Sequence, residues 1–328
     1  MARHKEEMLP AISPPSAKPS VGSSPASRQG SRGDLFRLDW PDGDAAEIAA
    51  SAFEGLGAGP SERHAAVAAA SRDDGRRRGY SHIVPGLRAM ASHLDRKLVL
   101  FAAMADFESA FAARGFPMST RPYFIDAFHR MAMTWTAADV PADLEYTDFV
   151  KDLAIVSLRL VPSGARLIDP TSGFARRFLP TLGVAGAAQA TRYLMKSCGG
   201  FGPMLELHVH NPVPHYFSEG GFRLTTRIAA DLLENDPALR GVIAASWFYD
   251  PAVAEVSPHL CYLVTLPGAL YVEGRTTEET RKLAAKASKT RRRALAEGRY
   301  DPRRFWMLWD RASVLSAAAT LPPEEASA

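Results

Sequence analysis

The chain is poor in the residues that announce chemistry. It has two cysteines in 328 residues, Cys198 and Cys261, and no Cys-x-x-Cys. A disulfide framework and a cysteine-rich zinc site are therefore excluded, and reduced thiols fit a cytoplasmic protein. No run of 18 apolar residues occurs, so no membrane span is expected. The first residues carry basic groups but no apolar stretch behind them, which argues against a secretory signal. No Gly-x-Ser-x-Gly elbow and no phosphate-loop Gly-x4-Gly-Lys-Ser/Thr is present, so serine-hydrolase and P-loop readings lack their signatures. Gly55-x-Gly57-x-Gly59 follows a helix rather than a strand and is not read as a phosphate loop.

Large charge of one sign is missing too. Lys and Arg number 39 against 36 Asp and Glu, a net charge of +3. The excess is local. From Lys286 to Arg304 eight basic residues meet two acids, so that stretch alone carries +6. Such a run is a solvated helix face or an anion-binding surface. No RNA-recognition, KH or zinc-finger frame accompanies it, so nucleic acid is not an expected partner. A small-molecule substrate is compatible with the chain, and the oligomeric state is not legible.

With 46% hydrophobic residues there is ample material for a buried core. Residues 1–34 hold five Pro, seven Ser and three Gly and few large apolar side chains. They read as a disordered tail, and 321–328 as a second, short one. Residues 35–150 read as a helical region. Asp44 caps a helix through Leu56, and Ser61 caps another. Pro85–Arg114 reads as one long helix stopped by Gly115, and Thr120 and Pro122 start one through Trp135.

Residues 151–320 read as an α+β domain with a central sheet. Ala154–Val161 and Arg166–Asp169 flank Pro-Ser-Gly as a hairpin. Val184–Cys198 is a helix, 204–210 a strand, and Ser218 or Glu219 opens a helix to Glu234. Arg240–Phe248 reads as a strand buried on both faces. His259–Thr265 and Ala269–Val272 read as a further strand pair. Helix follows through Ala296, then the strand Phe305–Trp309 and a last helix capped by Asp310. The fold class is thus α+β: a helical N-terminal region, then a mixed β-sheet with packed helices.

One polar cluster stands out. In Leu205-Glu206-Leu207-His208-Val209-His210 the alternation is strict. Glu206, His208 and His210 share one strand face, with His215 shortly after. A carboxylate and imidazoles on one face could ligate zinc or non-haem iron, or supply a general base oriented by a carboxylate. The spacing Gly202-x5-His208-x-His210 resembles the first cupin motif, without the glutamate expected after the histidines. The block is assigned as catalytic candidates, with no metal site. Trp247, Tyr249 and Asp250 close the buried strand where ligand crevices often form, and are substrate-pocket candidates.

Ser246–Pro251, Ser257-Pro258-His259-Leu260, Thr290–Arg293 and Glu297–Tyr300 resemble a group of uncharacterised bacterial proteins over roughly residues 150–315. That resemblance implies no particular activity. Separately, the order strand 204–210, helix 219–234, strand 240–248, then further strand and helix, is similar to the acyl-CoA-binding half of the GNAT acyltransferases. That resemblance implies a GNAT-like fold and an acetyl-CoA or other acyl-CoA cofactor. Its pyrophosphate would be held by backbone N–H groups at Gly220 and Gly221, where the family has its Gly-containing loop. The family's Arg/Gln-x-x-Gly-x-Gly/Ala is missing, and Glu219 puts an acid there. Three functions follow: an acyl-CoA-dependent transferase acting on an amine or hydroxyl, with Glu206 and His208 as bases; a metal-dependent hydrolase or oxygenase; or a non-catalytic binding or regulatory protein.

Overall fold

The first helices end where local chemistry ends them. In α1 (Ala45–Leu56) the Asp44 carboxylate accepts the Ala46 N–H at 3.1 Å, and Gly57 stops the helix in the left-handed region, φ 64°. Ser61 opens α2 (Glu62–Arg78), with the His64 ring reaching back to the Ser61 N–H. The computed structural model describes residues 44–145, 147–164, 166–209, 217–286 and 288–322. The tail assigned to 1–34 lies outside them, as do residues 323–328 of the one assigned to 321–328. The described residues all belong to one compact unit, Asp39–Glu325.

The single helix expected over Pro85–Arg114 is three: α3 (Pro85–Arg88), α4 (His93–Ala105) and α5 (Phe107–Arg114). Ser92 caps the second, its hydroxyl accepting the N–H groups of Leu94 and Asp95. The apolar spacing runs on through the breaks because all three pieces bury Leu87, Phe101, Met104, Phe107 and Phe111 in one core. α6 (Arg121–Trp135) joins them through Phe124 and Phe128. Next, α7 (Thr147–Val156) is locked to α6 by the fully buried Asp152. Its carboxylate accepts from both terminal nitrogens of Arg130 and from Trp135 Nε1 at 2.8 Å.

The expected hairpin forms, but its first strand is shorter than Ala154–Val161. Residues through Val156 stay in α7, and Leu158, at φ 56°, turns the chain out of it. An apolar run buried on every side carries no period to separate helix from strand. The strands are β1 (Val161–Ser163), β2 (Arg166–Asp169), β3 (Leu205–Val209), β4 (Gly241–Ser246), β5 (Leu270–Glu273) and β6 (Phe305–Asp310). They make one sheet ordered β1-β2-β3-β4-β6-β5, antiparallel except for the parallel pair β3 and β4. This is an α+β fold.

The helices interleaved with the sheet are α8 (Gly183–Lys196), α9 (Glu219–Asn235), α10 (Val253–Val256), α11 (Glu278–Lys286), α12 (Lys289–Ala296) and α13 (Arg311–Ala319). The strand expected at His259–Thr265 is instead a 3-10 helix, Pro258–Leu263, begun by the proline at its first position. Strand alternation sorts the two sheet faces. Ile243, Leu308, Trp306 and Val272 pack under α8. Leu205, Leu207, Val242, Met307 and Trp309 face the layer that holds α9 and α13. Gly241 opens β4 because nothing larger fits: a Cβ there would stand 2.2 Å from the Trp309 carbonyl oxygen, at φ 151°. Among the described residues no helix is long and apolar enough to cross a membrane.

Candidate functional site

The site is built around the end of the only parallel pairing among the described strands. β3 and β4 pair at just two positions, Leu205 with Val242 and Glu206 with Ile243. Beyond these, β3 stays with β2 as far as Arg166 opposite Val209. Meanwhile β4 stays with β6 as far as Ser246 opposite Phe305. The ladder between the two neighbours therefore stops short of their carboxyl ends. There α9 begins, with the Ser218 hydroxyl accepting the Gly221 N–H at 3.2 Å.

Glu206 and His208 do share a face, as period two requires. His210 and His215 lie outside the described residues. Register sets Asp169 opposite Glu206 and Leu167 opposite His208. The Glu206 carboxylate accepts a 2.5 Å hydrogen bond from Ser172 Oγ. Burial pushes its pKa up, with Ser172 and the Arg304 charge pulling the other way. Burial pushes the His208 imidazole down to about 4; Lys151 adds to the fall and Asp169 opposes it. At neutral pH this ring is uncharged, and its Nε2 is buried with no hydrogen-bond partner.

Other residues complete the cluster. The Tyr80 ring lies 4.5 Å from the His208 ring, tilted by 53°. Its phenol is raised by burial and then by the Glu206 and Asp169 charges. Lys151, on α7, donates to the Val209 carbonyl at 2.7 Å and is lowered by burial. Asp169 accepts from the Thr171 N–H at 2.8 Å and hydroxyl at 2.7 Å. Tyr80 also lines a cleft of about 450 Å³, together with Ser81, Arg88, Leu144, Glu145 and Val150. One tyrosine ring thus separates that cleft from the buried imidazole.

The sequence pattern misses Tyr80, Asp169, Lys151 and Ser172 as members. Asp169 depends on a hairpin register, and Tyr80 sits in an irregular Gly-Tyr-Ser segment with no period to read. The expected convergence of Glu206 and His208 on a cavity beside Gly220 and Gly221 is also corrected. The glycine pair opens α9, whose apolar side belongs to the face of Leu205 and Leu207. The acid and the imidazole point to the opposite face, as alternation along β3 demands.

Trp247, Tyr249 and Asp250 are all buried. The Asp250 carboxylate is consumed by the chain: it accepts from the N–H groups of Ala252 at 3.1 Å and Arg303 at 3.0 Å. That makes it a turn lock rather than a group presented to a ligand. Trp247 lies under the Arg291 guanidinium, 4.5 Å from ring centroid to Cζ. Tyr249 is fully buried and its hydroxyl has no partner.

One residue of the basic stretch is spent inside the fold, and others pair with acids at the surface. Arg291 is buried and donates to the Ala284 carbonyl at 2.6 Å and to Ser257 Oγ at 3.0 Å. Arg293 and Arg299 both pair with Glu297, and Arg303 pairs with Glu273. Burial lifts the Cys198 thiol to about 12, which removes it as a nucleophile. Among the described residues no three His, Cys, Asp or Glu side chains are grouped to hold a metal ion. Compared with known families, characterised proteins and solved structures, the chain matches none.

Proposed function

We propose that the protein is an acyl-CoA-dependent transferase of GNAT-like architecture acting on an amine or hydroxyl substrate. The observation that carries this reading is the parallel pair β3 and β4, which stops pairing after Glu206 and Ile243 with α9 starting from the same end. A gap between parallel strands is a slot into which an extended thioester arm can enter, satisfying the backbone groups that each strand leaves unpaired. The chain order of β3, α9 and β4, followed by further strands and helices, is the order on which the resemblance rests.

The residues present fit such a ligand in two respects. Gly220 and Gly221 carry no side chain at the mouth of α9; the Gly221 N–H is taken by the Ser218 hydroxyl, which leaves the Gly220 N–H to meet a phosphate. The acid of Glu219, unwelcome beside a phosphate, is paired with Arg223 at 2.7 Å. Acyl-CoA supplies an activated thioester carbonyl. Glu206, its pKa raised by burial, is the base that takes the proton from the amine or hydroxyl as this bonds to the thioester carbonyl carbon; the C–S bond then breaks, and the coenzyme A thiolate leaves and takes up a proton. His208, uncharged, adds no positive charge that would hold an ammonium substrate away. The acceptor enters by the Tyr80 cleft, on the side of the sheet away from α9, so the two substrates approach one opening from opposite faces.

Release of free thiol from acetyl-CoA in the presence of a panel of primary amines tests this. Wild type is expected to release thiol with at least one amine, and Glu206→Gln to reduce that rate by about 10²- to 10⁴-fold while acetyl-CoA still raises the melting temperature. If millimolar acetyl-CoA leaves the melting temperature of the wild type unchanged, the reading is wrong.

A further inference from the structure

The face of the sheet that carries α9 hides a charge that no acid among the described residues neutralises. Arg166, the first residue of β2, is 3% exposed. Its guanidinium makes no hydrogen bond and no ion pair with the described residues, and its Nη2 is fully buried without a partner. Its only contacts of note are aromatic. The guanidinium carbon sits 4.8 Å from the Phe217 ring centroid and 5.3 Å from that of Phe248. The two rings are themselves 4.9 Å apart. Phe217 immediately precedes Ser218, the cap of α9, and Phe248 follows the end of β4.

A buried guanidinium without an acid is among the most unfavourable arrangements in a folded chain, because desolvation is uncompensated. Contact with aromatic faces offsets a part of it. Ring faces leave the in-plane N–H fork unused, and that fork is the part matched to an oxyanion. A second orphan lies close by. The Tyr249 hydroxyl is buried and unpartnered, and the Arg166 charge reaches both it and Tyr262, pulling against the rise that burial imposes on their phenols. A cation and a hydroxyl, both lacking partners, are what a ligand oxyanion would satisfy together.

We propose that Arg166, held against the rings of Phe217 and Phe248, is an oxyanion-binding residue, which takes a carboxylate or phosphoryl group of a ligand in the plane of its guanidinium. The site needs neither Glu206 nor the Tyr80 cleft, but it neighbours the place where the acyl-transfer reading seats its phosphate, so acetyl-CoA is tested beside the simple anions. The mouth of α9 adjoins it, so the helix N-terminus reinforces the same preference for negative charge.

The test is thermal melting of the full chain with malonate, inorganic pyrophosphate or sodium chloride at matched ionic strength. Malonate or pyrophosphate is expected to raise the melting temperature of the wild type above the chloride control. A response to malonate identifies a carboxylate ligand, and a response to pyrophosphate a phosphoryl one. Arg166→Met keeps an apolar stem against the rings and should weaken the apparent affinity by about 10- to 100-fold. Without ligand, Arg166→Met should melt at or above the wild type, because the orphan charge is gone; a purely structural clamp would melt lower. Tyr249→Phe, which removes only the hydroxyl, should weaken the response in the same direction and keeps the test readable if Arg166→Met fails to fold. Failure of both anions to stabilise the wild type overturns the proposal, as does an undiminished response in Arg166→Met or Tyr249→Phe. An acetyl-CoA shift that persists in Arg166→Met while the oxyanion response is lost would leave both proposals standing separately.

Discussion

Mild acid should selectively weaken this fold through His208, and the size of the effect can be worked out from its surroundings. Burial holds the folded-state imidazole down at about 4, against 6.5 for the free side chain. Folded chains therefore keep the ring neutral while unfolded chains take up a proton near pH 6.5. The stability it contributes is present above pH 6.5 and is lost as the pH falls toward 4. Linkage puts the loss at about 2.5 kcal/mol by pH 4.5, or roughly 5 °C in melting temperature for a domain of this size. The perturbation is His208→Gln, and the assay is melting temperature at pH 7.5, 6.5, 5.5 and 4.5 for both proteins. Glu206 titrates in the other sense, since its raised pKa stabilises the fold at low pH. Present in both proteins, it cancels from the difference. Wild type minus variant should fall progressively across that range. A difference that stays flat from pH 7.5 to 4.5 would refute the picture of a desolvated, unpartnered imidazole between Tyr80 and Lys151.

Three further outcomes follow from particular contacts. Asp250→Ala strips the acceptor from two backbone N–H groups and should lower unfolding free energy by about 3 kcal/mol, read by urea titration; a loss of substrate binding at unchanged stability would restore it as a pocket residue. Arg291→Gln should destabilise by about 2 kcal/mol, whereas Arg293→Gln, on an exposed ion pair, should leave the melting temperature unchanged; equal effects would show that the basic run acts as a surface rather than as separate contacts. Asp152→Ala leaves Arg130 and the Trp135 indole without their acceptor and should cost about 3–5 kcal/mol, measured as a drop in denaturation midpoint.

Much of the architecture is legible in the sequence wherever a local signal exists. Asp44, Ser61 and Asp310 cap the helices that they were expected to cap, and Gly57, Gly115 and Gly298 end theirs in the left-handed region. The strands at 205–209, 241–246 and 305–310 lie where alternation or a continuous apolar run put them. Errors gather where the signal is ambiguous. The core periodicity of Pro85–Arg114 conceals two breaks, since separate helices facing one core keep a common spacing. Leu158 ends α7 in a conformation normally reserved for glycine, so nothing in the residue type marks the boundary.

The candidate site is only half legible for a related reason. Glu206 and His208 share a face by local alternation, which a sequence displays. Their partners Asp169, Tyr80 and Lys151 arrive through hairpin register and tertiary packing, which it does not. Asp250 looks like a pocket residue at a strand end and proves to be a buried turn lock. Arg166 looks like an ordinary strand arginine. Its interest arises only once the fold withdraws it from water without supplying an acid.

Calorimetric titration of the full chain with acetyl-CoA tests the central claim most directly, because the gap between β3 and β4 is held to be a cofactor slot. The expected result is one site per chain with a Kd at or below about 0.1 mM. No heat of binding at about 1 mM ligand, where any interaction is weaker than about −4 kcal/mol, would contradict it.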